Sequence, residues 1–258
     1  MKKQLTLLIV AVSLLLVTCK KKSGSDEPEQ TPVKLLSRII EVSGFPTPTT
    51  KFTIYTYDEK KRISTISWAG KEFTTYTYHG DELFSIDTKF GNKRNLSEFS
   101  YADGKPKQIV RKFYTDGELK GGVTLGNIYT GDKITEVHVN ESGTVAQKRF
   151  YRYAGDNIVG YDSQTDVFII KESTFGTKKS MYFNSRLKYI NGIETFDRFS
   201  PNDLLASVIK YPNGAELRQK NTFTYDDDDF PVTLLTEATF ESGESAGTFR
   251  YTFEYKMY

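Results

Sequence analysis

Two histidines and a run of four acids are the residues whose types come closest to chemistry in this chain. His79 and His138 lie far apart in sequence, and neither has a second histidine or a cysteine at ligand spacing. A zinc centre needs three or four such ligands, so the pattern assigns none. No nucleophile-elbow motif accompanies either histidine, so a serine triad has no anchor in the sequence. Asp226-Asp227-Asp228-Asp229 offers hard oxygen ligands of the kind Ca²⁺ prefers. The Asp-x-Asp-x-Asp-Gly loop is absent, however, and the run falls where the chain repeatedly places a polar turn, so a solvated turn is the expectation. A glycosidase needs two carboxylates at a set separation, and nothing singles out two among 33 acids. No catalytic, cofactor-binding or metal-binding residue is therefore assigned, and no cofactor is expected. Ligand contact is the chemistry that remains. Trp68, beside Ala69-Gly70, could stack on a sugar ring, or simply pack at a strand end. Tyr211 and Asn213, in Tyr211-Pro212-Asn213-Gly214, share the same kind of loop.

The single cysteine, Cys19, closes an apolar stretch from Leu5 to Val17 that follows Met1-Lys2-Lys3. A basic start, a short apolar core and a small-residue cleavage site mark a secretory signal. Lys20 to Lys22 cut the run below the roughly 20 residues a spanning helix needs. Leu16-Val17-Thr18-Cys19 looks like a bacterial lipobox, with cleavage before Cys19 and acylation of its thiol. Residues 1–19 are read as the signal and residues 20–34, rich in Ser, Pro and acids, as a flexible tether. Residues 35–258 are read as one domain. The expected address is the bacterial outer membrane, lipid-anchored, on the periplasmic or the cell-surface side.

Removing the signal takes away Lys2 and Lys3 and leaves basic and acidic side chains in balance. Nucleic acid requires a basic stripe, so no nucleic-acid partner is expected. The expected partners are the membrane, through the lipid anchor, and a glycan or an envelope protein. With no second cysteine, stability must come from packing, and 18 Phe and 17 Tyr are the material for it.

A short motif recurs. Tyr78-His79-Gly80-Asp81, Tyr129-Thr130-Gly131-Asp132 and Tyr153-Ala154-Gly155-Asp156 each precede a residue pair ending in Leu or Ile. Tyr225-Asp226-Asp227-Asp228-Asp229-Phe230 keeps the spacing without the glycine. Before each turn, Thr and aromatic residues alternate, as in Phe52 to Tyr57, which favours strands with two distinct faces. Gly-Asp then supplies a tight hairpin turn. Between copies lie turns at Gly70, Gly91, Gly117, Gly143, Gly214 and Gly243. In a meander, alternate turns fall on opposite edges. The expectation is therefore 16–19 antiparallel strands, short Asp turns on one rim and longer Gly loops on the other, with the Gly rim as the binding side.

The last strand separates its faces cleanly: Phe249, Tyr251, Phe253, Tyr255 and Met257 against Thr248, Arg250, Thr252, Glu254 and Lys256. With no helix to cover the first face, the sheet must cover itself. The fold class read from the sequence is all-β: a large antiparallel up-and-down meander of hairpins, curled into an open or closed barrel, with a folded-over sandwich as the alternative.

Tyr57-Asp58-Glu59-Lys60-Lys61-Arg62-Ile63 resembles a YD repeat of the Rhs type, with Lys61 in place of the glycine. The whole layout resembles the Bacteroidetes lipoproteins described as having a porin-like fold. That resemblance implies a barrel shape and no assigned activity. The function expected is a non-enzymatic, membrane-anchored binding or scaffold domain. The alternatives are a glycan-active hydrolase with a carboxylate pair and a pore-like structural component.

Overall fold

The computed structural model describes residues 32–44, 47–68, 72–141, 143–163, 169–184 and 200–258, with the side chains of residues 72 and 73 left out. Sixteen strands follow one another: β1 (Lys34–Ser43), β2 (Thr49–Tyr57), β3 (Ile63–Trp68), β4 (Glu72–His79), β5 (Glu82–Phe90), β6 (Lys93–Ala102), β7 (Lys105–Thr115) and β8 (Glu118–Thr130). The second half comprises β9 (Lys133–Glu141), β10 (Thr144–Ala154), β11 (Asn157–Ser163), β12 (Ile169–Lys179), β13 (Asn202–Lys210), β14 (Glu216–Tyr225), β15 (Pro231–Phe240) and β16 (Ser245–Met257). Each strand pairs antiparallel with its sequence neighbour, and β1 pairs with β16 to close the barrel. The meander expected from the repeats is thus present, and of its two forms the closed barrel is the one adopted. Lys34, assigned to the tether by composition, already pairs with Met257.

Alternate turns do fall on opposite rims, but the expected difference in length does not hold. Gly-rim turns such as Gly91-Asn92 and Asp116-Gly117 are as short as the Asp-rim turns Gly80-Asp81 and Gly155-Asp156. The longest connection, residues 180–201, leaves β12 on the Asp rim. Asp turns of two residues need a left-handed backbone, which Gly131 supplies at φ 60° without steric cost. The five-residue turns solve the same problem differently. Lys61 and Asp229 take φ 62° and 65°, and the turn is held by the acid four residues before its end. Asp58 Oδ1 accepts the amides of Lys60 and Arg62, and Asp226 Oδ1 accepts those of Asp228 and Phe230. The Asp226 copy therefore belongs structurally with the Tyr57 copy rather than with the Tyr-x-Gly-Asp copies.

A bulge accompanies the motif. Pairing shifts register between Thr56/Tyr57, Thr77/Tyr78, Ser100/Tyr101, Ile128/Tyr129, Arg152/Tyr153 and Thr224/Tyr225. The partner strand carries one extra residue at that point, so strict alternation is interrupted. The tyrosine and the residue restarting the next strand then share the inner face, as Tyr78 does with Leu83 and Tyr129 with Ile134. Phe84, the extra residue of β5, is left exposed and stacks on His79.

Each of these tyrosines reaches back one hairpin. The hydroxyl of Tyr57 donates to Leu36 O, Tyr78 to Ile63 O, Tyr101 to Leu83 O and Tyr129 to Pro106 O. Tyr153 donates to Ile134 O and Tyr255 to Pro231 O; Tyr225 donates instead to the Asp203 carboxylate. Cations complete the stitch. Arg62 lies over the Tyr78 ring and donates to Gly80 O. Lys105 lies over Tyr129 and Lys133 over Tyr153, reaching Gly131 O and Gly155 O respectively. The repeat is thus a mechanical link between successive hairpins, with a tyrosine in one direction and a cation in the other.

Candidate functional site

On β2 and β6, burial on the inner face is graded from one rim to the other, whereas on β15 Leu234, Thr236 and Ala238 stay buried up to the Gly rim. Along β2, Thr49 and Lys51 are exposed, Thr53 is half-buried and Tyr55 is buried. Lys93, Asn95, Ser97 and Phe99 on β6 repeat the sequence exposed, exposed, half-buried, buried. Toward the Asp rim the interior is a continuous apolar cluster containing Ile63, Ile109, Leu125, Val137, Leu234 and Phe253, none more than 8% exposed. The described part of the β12–β13 connection contributes to it. Tyr182 joins the cluster, and its hydroxyl lies 3.1 Å from that of Tyr55. Sixteen strands enclose more width than a small barrel fills with side chains. Here the Asp end is packed and the Gly end opens on the arc from β2 to β7.

Burial sets the chemistry of the packed end. It pushes the Tyr57, Tyr78 and Tyr255 hydroxyls well above their ordinary value and Tyr153 up to about 12. These groups are neutral hydrogen-bond donors, not acids at work.

The acid run is used by the fold. Lys34 Nζ lies 2.7 Å from Asp226 Oδ2 and 2.9 Å from Asp228 Oδ2, over the Phe230 ring. Lys178 pairs with Asp229, and Lys179 donates to Asp228 O. Burial raises the Asp226 carboxyl, but hydrogen bonds from Lys34 and from the Phe230 and Asp228 amides outweigh it and hold the carboxyl below its usual value. The turn expected to be merely solvated is a junction joining the first strand, the end of β12 and the β14–β15 hairpin.

The histidines lie apart from each other. His138 is on the outer face of β9, its Nε2 2.5 Å from Glu136 Oε1, with Lys148 Nζ 3.5 Å from the same oxygen. His79 stacks on Phe84, the ring centroids 4.1 Å apart. Among the described residues, no three histidine, cysteine or acidic groups come together as metal ligands.

Of the residues singled out for binding, Trp68 lies on the inner face at the Gly mouth. It pairs with Thr53, which shares its face with Tyr55. Tyr211 and Asn213 lie on the same rim, in the turn between β13 and β14. There the Tyr211 amide donates to Ala215 O, and Asn213 Oδ1 accepts the Ala215 amide. The β2, β1, β16 and β15 strands separate that turn's β14 from β3, so Trp68 and the turn are not neighbours. Cys19 lies outside the described residues. Sequence reasoning missed two residues beside Trp68 on the inner wall, Phe90 on β5 and Phe113 on β7. Trp68 is 51% exposed, Phe90 54% and Phe113 38%. Their signal was parity with Ile86 and Ile109, legible only once the strand ends are placed.

The outer face carries charge on many strands. Arg38 pairs with Glu254 at 3.6 Å, Arg94 with Asp87 at 2.8 Å and Lys112 with Glu98 at 2.5 Å. Arg152 pairs with Asp162 between β10 and β11.

No protein-family model matches the chain, and no curated protein matches it in sequence. Solved structures share its fold, two porin-like proteins among them. A porin-like protein from Bacteroides uniformis is 11% identical, with a TM-score of 0.53 over 86% of this chain and 96% of that one. A porin-like protein from Bacteroides vulgatus is 12% identical, with a TM-score of 0.51 over 86% of this chain and 99% of that one. The likeness is one of fold.

Proposed function

We propose that this chain is a cell-envelope component built as a pore-shaped cup, closed at the Asp rim and open at the Gly rim, and held to the outer membrane by lipid on Cys19. The graded burial of the inner face along β2 and β6 carries this reading, because an open channel would leave both ends wet. The porin-like neighbours favour a pore-shaped structural component over a scaffold that merely presents loops. The outer face speaks against spanning lipid. A transmembrane barrel needs an apolar band about 25 Å tall, and Lys or Arg at its midplane costs about 2–4 kcal/mol each. Arg94, Lys112 and Arg152 stand among the outward residues of their strands. A catalytic role has no geometric support in either histidine. The described chain enters the barrel on the Asp rim, where Val33 exchanges backbone hydrogen bonds with Tyr258.

The test is planar-bilayer conductance of the purified, lipidated protein, with a known porin as control. The expected result is no discrete single-channel steps. Reproducible steps that scale with salt would replace the cup by a conducting pore.

A further inference from the structure

We propose that the inner wall of β3, β5 and β7 at the open mouth is a binding platform for a neutral, linear glycan. The inference rests on the cup reading and adds the ligand class. Cα register places Trp68, Glu72, Phe90 and Lys93 in one row across β3 to β6. The row beneath runs through Thr74, Thr88, Asn95 and Phe113. Deeper still, Tyr76 and Phe99 on the same wall are buried at 7% and 8% exposure. The wall therefore has room to bury aromatics and does so below, yet it leaves three large ones open to water at its upper edge.

Their spacing suits a chain of sugar rings. Neighbouring strands lie about 4.8 Å apart, so aromatics on every second strand stand roughly 10 Å apart. Alternate rings of an extended pyranose chain can each lay a C–H face on one of them. Thr88, whose hydroxyl lies 3.1 Å from that of Thr74, and Asn95, in register with Thr88 and with Phe113, supply hydroxyl and amide groups for the sugar hydroxyls. Few, well-placed polar groups among aromatic surfaces are what fix a ligand's orientation in such sites. By Cα register Glu72 and Lys93 occupy the positions on either side of Phe90, one acid and one base in the same row. A fatty chain would have no use for the amide and hydroxyl row, and a polyanion would be met in the top row by as many acids as bases.

Trp68 is the chain's only tryptophan, so its emission reads this wall directly. Acrylamide quenching of the mature protein comes first and tests the cup itself: Trp68 quenches readily if the mouth is open. Xylo-, cello-, manno- and malto-hexaose are then titrated as neutral probes, polygalacturonate as the anionic probe and oleate as the apolar one. The expected result is a saturable shift of Trp68 emission, with protection from acrylamide, for at least one neutral hexaose. Phe90→Ala and Phe113→Ala should each weaken it about tenfold, the scale of one stacking contact. Phe150→Ala, on the outer face of β10, should leave it unchanged. Pull-down by the insoluble polysaccharide of the same sugar separates a polymer ligand from a free oligosaccharide. The glycan proposal falls if every neutral hexaose is silent while Trp68 remains quenchable, or if only polygalacturonate or oleate binds. A Trp68 shielded from acrylamide would take the cup reading down with it.

Discussion

Removing one tyrosine hydroxyl tests the link between hairpins, and two of these tyrosines differ in a way that sets the size of the effect. Tyr153 donates at 3.0 Å to Ile134 O, and Ile134 is a buried residue. Tyr129 donates at 2.7 Å to Pro106 O, but Asn127 Nδ2 donates to that same carbonyl at 2.9 Å. Phenylalanine keeps the ring and its contact with the lysine above it while deleting the donor. A net hydrogen bond is worth about 0.5–1.5 kcal/mol, and a buried acceptor stripped of its partner costs about 1–3 kcal/mol. Tyr153→Phe should therefore cost about 1–2 kcal/mol, and Tyr129→Phe about 0.5–1 kcal/mol because Asn127 stays in place. For a domain of this size, 1 kcal/mol moves Tm by about 2–4 °C. Urea and thermal unfolding of the two variants should give that order, with Asn127→Ala enlarging the effect of Tyr129→Phe. The reasoning is refuted if Tyr129→Phe costs as much as Tyr153→Phe, or if neither differs measurably from the parent protein.

Tyr57, Tyr78 and Tyr153 make the barrel sensitive to base. Burial raises their native pKa values, so the native state keeps protons that the unfolded chain releases above about pH 10. Their contribution is fully present below that pH and is lost as pH rises through the native values, that of Tyr153 being about 12. Tyrosinate absorbance should lag behind that of free tyrosine and then rise together with loss of β-sheet circular dichroism. A further prediction concerns Gly176: a Cβ there would sit 2.5 Å from Asp203 Oδ1, and that carboxylate is fixed by the Lys178 amide and the Tyr225 hydroxyl. Gly176→Ala should cost about 1–3 kcal/mol in urea unfolding, and Asp203→Asn in the same background should not restore it.

The sequence made the barrel legible because two local signals agreed. Tyr-x-Gly-Asp marks a turn, and the Thr-aromatic alternation before it marks a strand. Neighbours paired in order, 16–19 of them, follow from those signals and from an apolar face that nothing else could cover, whereas the count of sixteen and the closure of β1 on β16 come from the structure. The bulge beside each tyrosine was not legible, since one extra residue such as Phe84 resembles its neighbours until the register is known. Nor was the target of the hydroxyls, because Leu83 O and Ile134 O are acceptors on an earlier hairpin and carry no side-chain signature. Lys34, Lys178 and Lys179 are separated from Asp229 by up to most of the chain, so the acid run looked solvated. For the candidate site, Trp68 stood out by being alone of its kind. Phe90 and Phe113 were hidden among many phenylalanines, and only the placement of strand ends shows that they share its wall.

Whether water surrounds the strands decides most. Cysteines introduced one at a time on the outer face, at Arg94, Lys112, Thr222 and Thr252, can be probed in intact membranes with a water-soluble maleimide, against a parent control for Cys19. A cup standing clear of the bilayer predicts rapid labelling at all four positions, with the buried inner position Phe99→Cys protected. A belt of outer positions that resists the reagent until detergent is added would contradict it.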